Sequence, residues 1–127
     1  MKHIKVFEDF NSTGTKKLRE FTEAYLAYLL DDQDVKIQIE LGNEEGSYGL
    51  MIHKYAYGMD WLSIKDHFIP FLSMLIKDYD VFNTSIGLTK NGHWIPGKVY
   101  SVDEIINDKV SIDGKISNIS IDLKEKE

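Results

Sequence analysis

The chain has 127 residues, a formal net charge of −6 and no cysteine. The lack of cysteine excludes disulfide frameworks, zinc–thiolate sites and cysteine nucleophiles. The negative charge opposes contact with nucleic-acid phosphates, and Arg19 is the one arginine, so general nucleic-acid binding is not expected. Hydrophobic residues make up 43% of the chain, which indicates a folded core.

The length predicts one domain covering residues 1–127. The longest apolar stretch, residues 68–76, is much shorter than the roughly 20 residues that a membrane-spanning helix needs. The N-terminus also lacks the apolar centre of a secretory signal. We therefore expect a cytoplasmic protein that has no membrane partner.

The first segment, KHIKVFE at residues 2–8, fits two structures. A strand would place Ile4 and Val6 on one face, whereas a helical turn would align Ile4 with Phe7. The next stretch, NSTGT at residues 11–15, contains capping residues and a glycine, and it predicts a break in the chain.

Two segments have the spacing of helices. In residues 15–32, apolar side chains recur every three or four positions among good helix formers, so a helix is predicted there. Residues 60–79 show a similar apolar stripe. Pro70 lies inside that segment and predicts either a kink or a helix that begins only near Ile69.

Residues 34–42 alternate between apolar and polar side chains, which predicts a half-buried strand. A turn at residues 43–46 and a returning strand at residues 47–58 complete a hairpin. The apolar face of the first strand is expected to line the main core: Val35, Ile37, Ile39 and Leu41.

Further strands are predicted at residues 81–89 and 97–102. Between them, the sequence NGHWIPGK at residues 91–98 has the dipeptides of two turns and predicts a loop that carries Trp94.

The C-terminal part begins with Ser101 and Glu104 at capping-box spacing, which predicts one or two helical turns over residues 101–108. Asp113-Gly114 is a favoured two-residue turn, so residues 109–123 are predicted to form a β-hairpin. The tail, residues 124–127, is expected to fray.

These elements predict an α+β fold with two helices on one face of an antiparallel sheet. If residues 2–8 form a strand, the order is the ferredoxin-like βαββαβ, followed by a C-terminal β-hairpin extension. If they do not, another α+β sandwich results.

No reaction is indicated by a motif. The four histidines lack the paired spacing of metal ligands, so no metal is expected. Phosphate-binding glycine loops and a nucleophilic serine elbow are also absent from the sequence, and no cofactor is expected. The sequence favours a non-enzymatic function without excluding an enzyme.

Aromatic residues give the candidate protein interface: Tyr55, Tyr57, Trp61 and Trp94, with His93 beside them. Tyrosine and tryptophan are enriched where proteins bind one another. In one alternative, the C-terminal extension covers the second face of the strand at 47–58, and Trp94 plugs the core. In the other, that face is exposed and Trp94 anchors a partner.

The first ten residues, MKHIKVFEDF, resemble the leader of small accessory proteins of large tailed bacteriophages, which has the form M-K-x-x-K-x-F-E-x-F. Val6 departs from the usual leucine or isoleucine. The resemblance implies that residues 1–10 are a leader that the prohead protease cuts after Glu8. It also implies a location in the host cytoplasm or in the virion.

The sequence leaves three functions open. The first is a small acidic phage-type accessory protein that binds a protein partner, as an inhibitor of a host factor or as a virion or internal protein. The second is a small-molecule-binding protein or metal-independent enzyme with a pocket near Tyr55, Tyr57 and Trp94. The third is a homo-oligomeric structural subunit that uses an exposed sheet edge.

Overall fold

The structure is a computed structural model that describes residues 2–32, 34–54, 58–90 and 93–126, with the side chains of 2–13, 31 and 32 left aside. Its elements follow in chain order: α1 (Lys2–Asp32), β1 (Lys36–Leu41), β2 (Ser47–His53), α2 (Trp61–Asp78), β3 (Tyr79–Lys90), β4 (His93–Tyr100), α3 (Val102–Ile106) and β5 (Lys115–Glu125).

The five strands form one antiparallel sheet in the order β1-β2-β5-β3-β4, and the helices lie on one side of it. The predicted α+β class is therefore confirmed. The ferredoxin-like order is not confirmed, because the chain begins with a helix and its last strand occupies the centre of the sheet.

The helix predicted for residues 15–32 is confirmed, but the break predicted at residues 11–15 is wrong, because α1 runs through it. Gly14 explains the exception. A Cβ atom at Gly14 would collide with the hydroxyl of Tyr48, so glycine lets the helix approach the sheet closely. The backbone of Leu26 has φ −110° and ψ 16°, which marks a kink in the second half of the helix.

The second predicted helix is confirmed, with α2 beginning at Trp61 and continuing through Pro70. The alternative of a helix that begins near Ile69 is wrong. Phe71 of α2 packs against Phe21 of α1, with the ring centroids 5.7 Å apart. This contact holds the two helices together over the core.

The strand predicted from residue 34 is confirmed as β1, but it lies at the edge of the sheet. Val35 is buried, Ile37 and Ile39 are half-buried, and Leu41 is 56% exposed. The expectation that all four line the main core is therefore wrong for Leu41. Buried side chains from β2, β5 and the helices form most of that core, among them Leu18, Leu50, Ile52, Phe68, Leu72, Ile119 and Ile121.

The capping box is confirmed, since Ser101 Oγ accepts from the Glu104 amide and Glu104 Oε1 accepts from the Ser101 amide, both at 3.1 Å. The predicted C-terminal hairpin is wrong. Residues 109–114 form no strand, and β5 pairs with β2 and β3 instead.

The prediction that the C-terminal tail frays is also wrong for the described residues 124–126. Glu125 belongs to β5, and its amide donates to the Gly46 carbonyl at 2.9 Å. The Lys126 amide donates to the Asp78 carbonyl at 2.9 Å. Within the described ranges, the structure contains no helix long and apolar enough to cross a membrane.

Candidate functional site

The sheet has one face against the helices and one face away from them. On β2 and β5, the helix-facing side chains are the buried ones, such as Leu50 and Ile121, which lie opposite each other. Their neighbours in sequence point the other way, because side chains alternate along a strand. We call this second surface the open face. It carries Gln38, Glu40, Gly49, Met51, Ser85, Gly87, Trp94, Val99, Asn118, Ser120 and Asp122.

No described helix lies over the open face. The three helices are on the other side of the sheet, and Val110 and Ile112 of the segment after α3 belong to the helix-side core or pack against it. The prediction that a C-terminal hairpin covers this face is therefore wrong for the described residues, because β5 is part of the sheet itself.

Trp94 stands on the open face at strand β4, where the sequence predicted a loop. Its side chain is 60% exposed. The indole Nε1 nevertheless donates a hydrogen bond to Asn118 Oδ1 at 3.2 Å. The interpretation in which Trp94 plugs the core is therefore wrong. Trp94 is as exposed as a residue that anchors a partner would need to be.

Gly87 makes room for this contact. A Cβ atom there would lie 2.5 Å from Asn118 Oδ1 and 2.9 Å from Trp94 Nε1, too close for any side chain. The register of β3 and β5 shifts at Gly87, which indicates a β-bulge beside the tryptophan. Gly87 and the β-bulge together let the indole of Trp94 pack close to the sheet.

The Asn118 amide is itself fixed by its neighbours. Asn118 is only 9% exposed. Its Oδ1 also accepts from Ser117 Oγ at 2.9 Å, and its Nδ2 donates to Ser120 Oγ at 3.2 Å. Because these bonds define which end of the amide is the acceptor, the indole has a preset partner.

A small groove lies farther along the open face, with Gly49 in its floor. It has a volume of about 220 Å³, and its polar lining includes Gln38, Glu40, Ser120 and Asp122. Gln38 Nε2 donates to Glu40 Oε1 at 3.4 Å. The ion pairs among the described residues include neither Glu40 nor Asp122, so the groove carries uncompensated negative charge.

A second depression of about 530 Å³ adjoins the groove and shares Glu40, Gly49 and Asp122 with it. Phe82, which is 62% exposed, lies at its border where β3 has a second bulge. Lys124 Nζ contacts Glu44 Oε2 there at 2.6 Å, and this pair holds the pKa of Glu44 below its usual value. The depression therefore combines apolar surface with charge.

Among the other predicted interface residues that the structure describes, Trp61 does not lie on the open face. Trp61 is 3% exposed and packs edge-on against Phe68 at 6.0 Å, so the expectation that it is partly exposed is wrong. Its position at the start of α2 turns the ring into the core. His93 is exposed and pairs with Lys90 in the sheet. Tyr55 and Tyr57 lie outside the described residues.

Asn118, Asp122 and Phe82 were not predicted from the sequence as site residues. A signal for the first two is present, since polar residues alternate with Ile119, Ile121 and Leu123 along β5 and therefore lie on the opposite face. Phe82 lies in a bulge, and its exposure follows from a register shift that has no clear mark in the sequence.

The open face offers polar and aromatic side chains. In the described part of the chain, no group of three or more histidine, aspartate or glutamate side chains could hold a metal ion. Burial and the charge of Lys36 lower the pKa of His53, so its neutral form is favoured. Hydrogen-bonding amides, two carboxylates and exposed aromatic rings are what this surface offers.

Comparison with models of protein families, with curated proteins and with solved structures finds no significant match to this chain.

Proposed function

We propose that this chain is a binding protein whose open face takes a protein partner with a basic and partly apolar contact surface. The observation that carries the proposal is Trp94, an exposed indole that its hydrogen bond to Asn118 holds on a sheet face covered by no described helix. Tryptophan is among the residues that contribute most to binding energy in protein interfaces. A ring that is already oriented loses less conformational entropy when the partner arrives.

The charge of the face favours a basic partner. Asp122 and Glu40 border the groove, and the whole chain carries a net charge of −6. Complementary charge raises the association rate and disfavours partners of the same sign. A lysine or arginine side chain of the partner would enter the groove beside Asp122.

The groove alone, with a volume of about 220 Å³, lies below the range of roughly 300–1,000 Å³ that is usual for small-molecule sites, whereas the adjoining depression of about 530 Å³ lies within it. The spacing of the contacts, and not the volume, therefore favours a protein partner. Trp94 contacts Asn118, and Asp122 lies four residues farther along β5, a separation of roughly 13 Å. Two contacts that far apart suit a protein surface.

The resemblance of the first ten residues gives this proposal a biological setting. For a phage-type accessory protein, the partner is a host factor that the protein inhibits, or another protein of the virion. The structure makes residues 2–10 helical, so the strand alternative for this segment is wrong. Cleavage after Glu8 stays a prediction.

The test is affinity capture from a lysate of the source cell with the chain immobilised and three variants in parallel. Trp94→Ala and Asp122→Lys alter the open face. Tyr28→Ala is the matched control, because Tyr28 is a 49% exposed aromatic that stacks on His67 in the helix layer.

We expect one stoichiometric partner that the unmodified chain and Tyr28→Ala retain. Its affinity should fall roughly 30-fold with Trp94→Ala, corresponding to about 2 kcal/mol, the usual threshold for a dominant interface residue. Asp122→Lys should slow association and weaken the salt dependence. Equal retention by all four proteins, or no partner that depends on Trp94, would contradict the proposal.

A further inference from the structure

We propose that a second copy of this chain pairs with the free edge of β1, antiparallel and in the register that places Lys36 opposite Glu40 of the second copy. The two five-stranded sheets would then form one sheet of ten strands. This interaction lies at the sheet edge away from Trp94 and shares only Glu40 with the groove, and it does not rest on the proposed function.

The edge of β1 presents unpaired backbone groups. β1 is the first strand of the sheet and bonds to β2 on one side only. The Gly42 amide donates to the Ser47 carbonyl at 2.8 Å. This bond shows which residues of β1 form backbone hydrogen bonds to β2, since every second residue does so. Gln38 and Glu40 therefore bond toward β2, and the amides and carbonyls of Ile37 and Ile39 point outward. No described residue bonds to those outward groups.

The opposite edge of the sheet has proline and a bulge, whereas β1 carries only the charges of Lys36 and Glu40, which the proposed register pairs with each other. β4 contains Pro96, which lacks an amide hydrogen, and the pairing of β3 with β4 is interrupted by a register shift. Proline and bulges are devices that stop edge strands from pairing with other chains. β1 has six regular residues without proline or glycine. It is therefore the edge that can accept a strand.

Charge complementarity selects the register. Residues whose backbone groups point away from β2 must lie opposite residues of the same kind in the second copy. The two-fold axis can therefore lie at Gln38, which then faces Gln38 of the second copy, or at Ile39, which then faces Ile39 of the second copy. An axis at Gln38 sets Lys36 opposite Glu40 of the second copy, twice by symmetry, and pairs the two half-buried isoleucines. An axis at Ile39 would set Gln38 opposite Glu40 and would form no ion pair.

Lys36 and Glu40 can each form a new ion pair with the second copy. Lys36 Nζ lies 3.2 Å from Asp34, with both side chains largely exposed, so that local pair contributes little. Glu40 has a 3.4 Å contact with the uncharged Gln38 and no ion pair within the described part of the chain. Two new cross-strand ion pairs are therefore a gain on dimerisation.

A cysteine placed on the axis tests the register directly, because the chain has no cysteine of its own. In the Gln38→Cys variant, the two cysteines would face each other at a Cα separation of about 4.5 Å, within the range of a disulfide. Leu41→Cys is the matched control on the same strand, because Leu41 is exposed and takes no part in the two ion pairs. Its two cysteines would be offset by six residues, roughly 20 Å, beyond disulfide reach.

Under mild oxidation, we expect a covalent dimer of Gln38→Cys on a non-reducing gel and none of Leu41→Cys. A dimer formed equally by both variants, or by neither, would overturn the proposed register.

Sedimentation velocity of the unmodified chain supplies the second measurement. The chain should sediment as a concentration-dependent dimer. Lys36→Glu and Glu40→Lys should each weaken dimerisation by about tenfold, and the double variant should restore it because the charges are exchanged across the axis. Circular dichroism checks that each variant is folded. A chain that is monomeric at the highest concentration tested, or a double variant that dimerises no better than the single ones, would overturn the proposal.

Discussion

The indole Nε1 of Trp94 lies 3.2 Å from Oδ1 of Asn118 and donates a hydrogen bond to it across the open face of the sheet. Trp94 is mostly exposed, whereas Asn118 is almost fully buried. The tryptophan thus has a fixed polar end and a free apolar surface. Under the proposed function, this arrangement serves binding more than folding, and the consequences can be measured.

The two tryptophans should differ sharply in their effect on stability. Trp94→Ala should lower the free energy of unfolding by about 1 kcal/mol, the usual net contribution of one hydrogen bond. Trp61→Ala should lower it by about 3–5 kcal/mol, because Trp61 is 3% exposed and its removal leaves a cavity against Phe68. Urea denaturation of both variants measures the difference. Similar losses for the two would mean that Trp94 is a core residue.

The edge position of β1 predicts a second contrast. Leu50→Ala on β2 should cost about 2–5 kcal/mol of stability, because Leu50 is buried between the sheet and the helices. Leu41→Ala should change stability by less than about 0.5 kcal/mol, as is usual for surface positions. Thermal or urea unfolding of the pair decides the matter. A large loss from Leu41→Ala would be incompatible with its exposed place on an edge strand.

Tyr48 predicts a loss of stability at alkaline pH. Burial, followed by the charge and hydrogen bond of Glu125, raises the pKa of Tyr48 from 10.0 to about 12, and Tyr48 Oη donates to Glu125 Oε1 at 3.2 Å. The folded pKa lies above the unfolded one, so this contribution to stability is complete below pH 10 and is lost as the pH rises through about 12.

The Tyr48→Phe variant isolates that effect. It should be less stable at neutral pH, because the bond to Glu125 is gone, yet it should lose less stability than the unmodified chain between pH 10 and about 12. Denaturation curves across this range provide the test. Parallel losses in both proteins would show that Tyr48 does not titrate with a raised pKa.

Periodicity predicted the helices and the first hairpin well because those signals are local. The break at residues 11–15 failed for a tertiary reason: Gly14 is needed so that α1 can approach Tyr48, and not to end a helix. The hairpin at Asp113-Gly114 failed for a similar reason. A turn signal does not specify which strands pair, and β5 gains two neighbours in the centre of the sheet instead of one in a hairpin.

The candidate site was predictable in part. Trp94, predicted as an interface residue, is exposed, although it lies on a strand and not in a loop. Its acceptor, Asn118, is distant in the sequence, and the contact depends on the bulge at Gly87, so spacing alone could not reveal it. Trp61 was misassigned although its spacing from Ile64 and Phe68 already places it on the buried stripe of α2.

Site-specific photocrosslinking tests the central claim most directly. Benzoylphenylalanine would replace Val99, an exposed residue on the open face, or Leu62, an exposed residue of α2 on the helix side. We predict that irradiation in a lysate of the source cell yields a single protein adduct from position 99 and none from position 62. Adding Trp94→Ala should abolish that adduct. An adduct from position 62 alone, or an adduct from position 99 that persists without Trp94, would contradict the assignment of the open face as the binding surface.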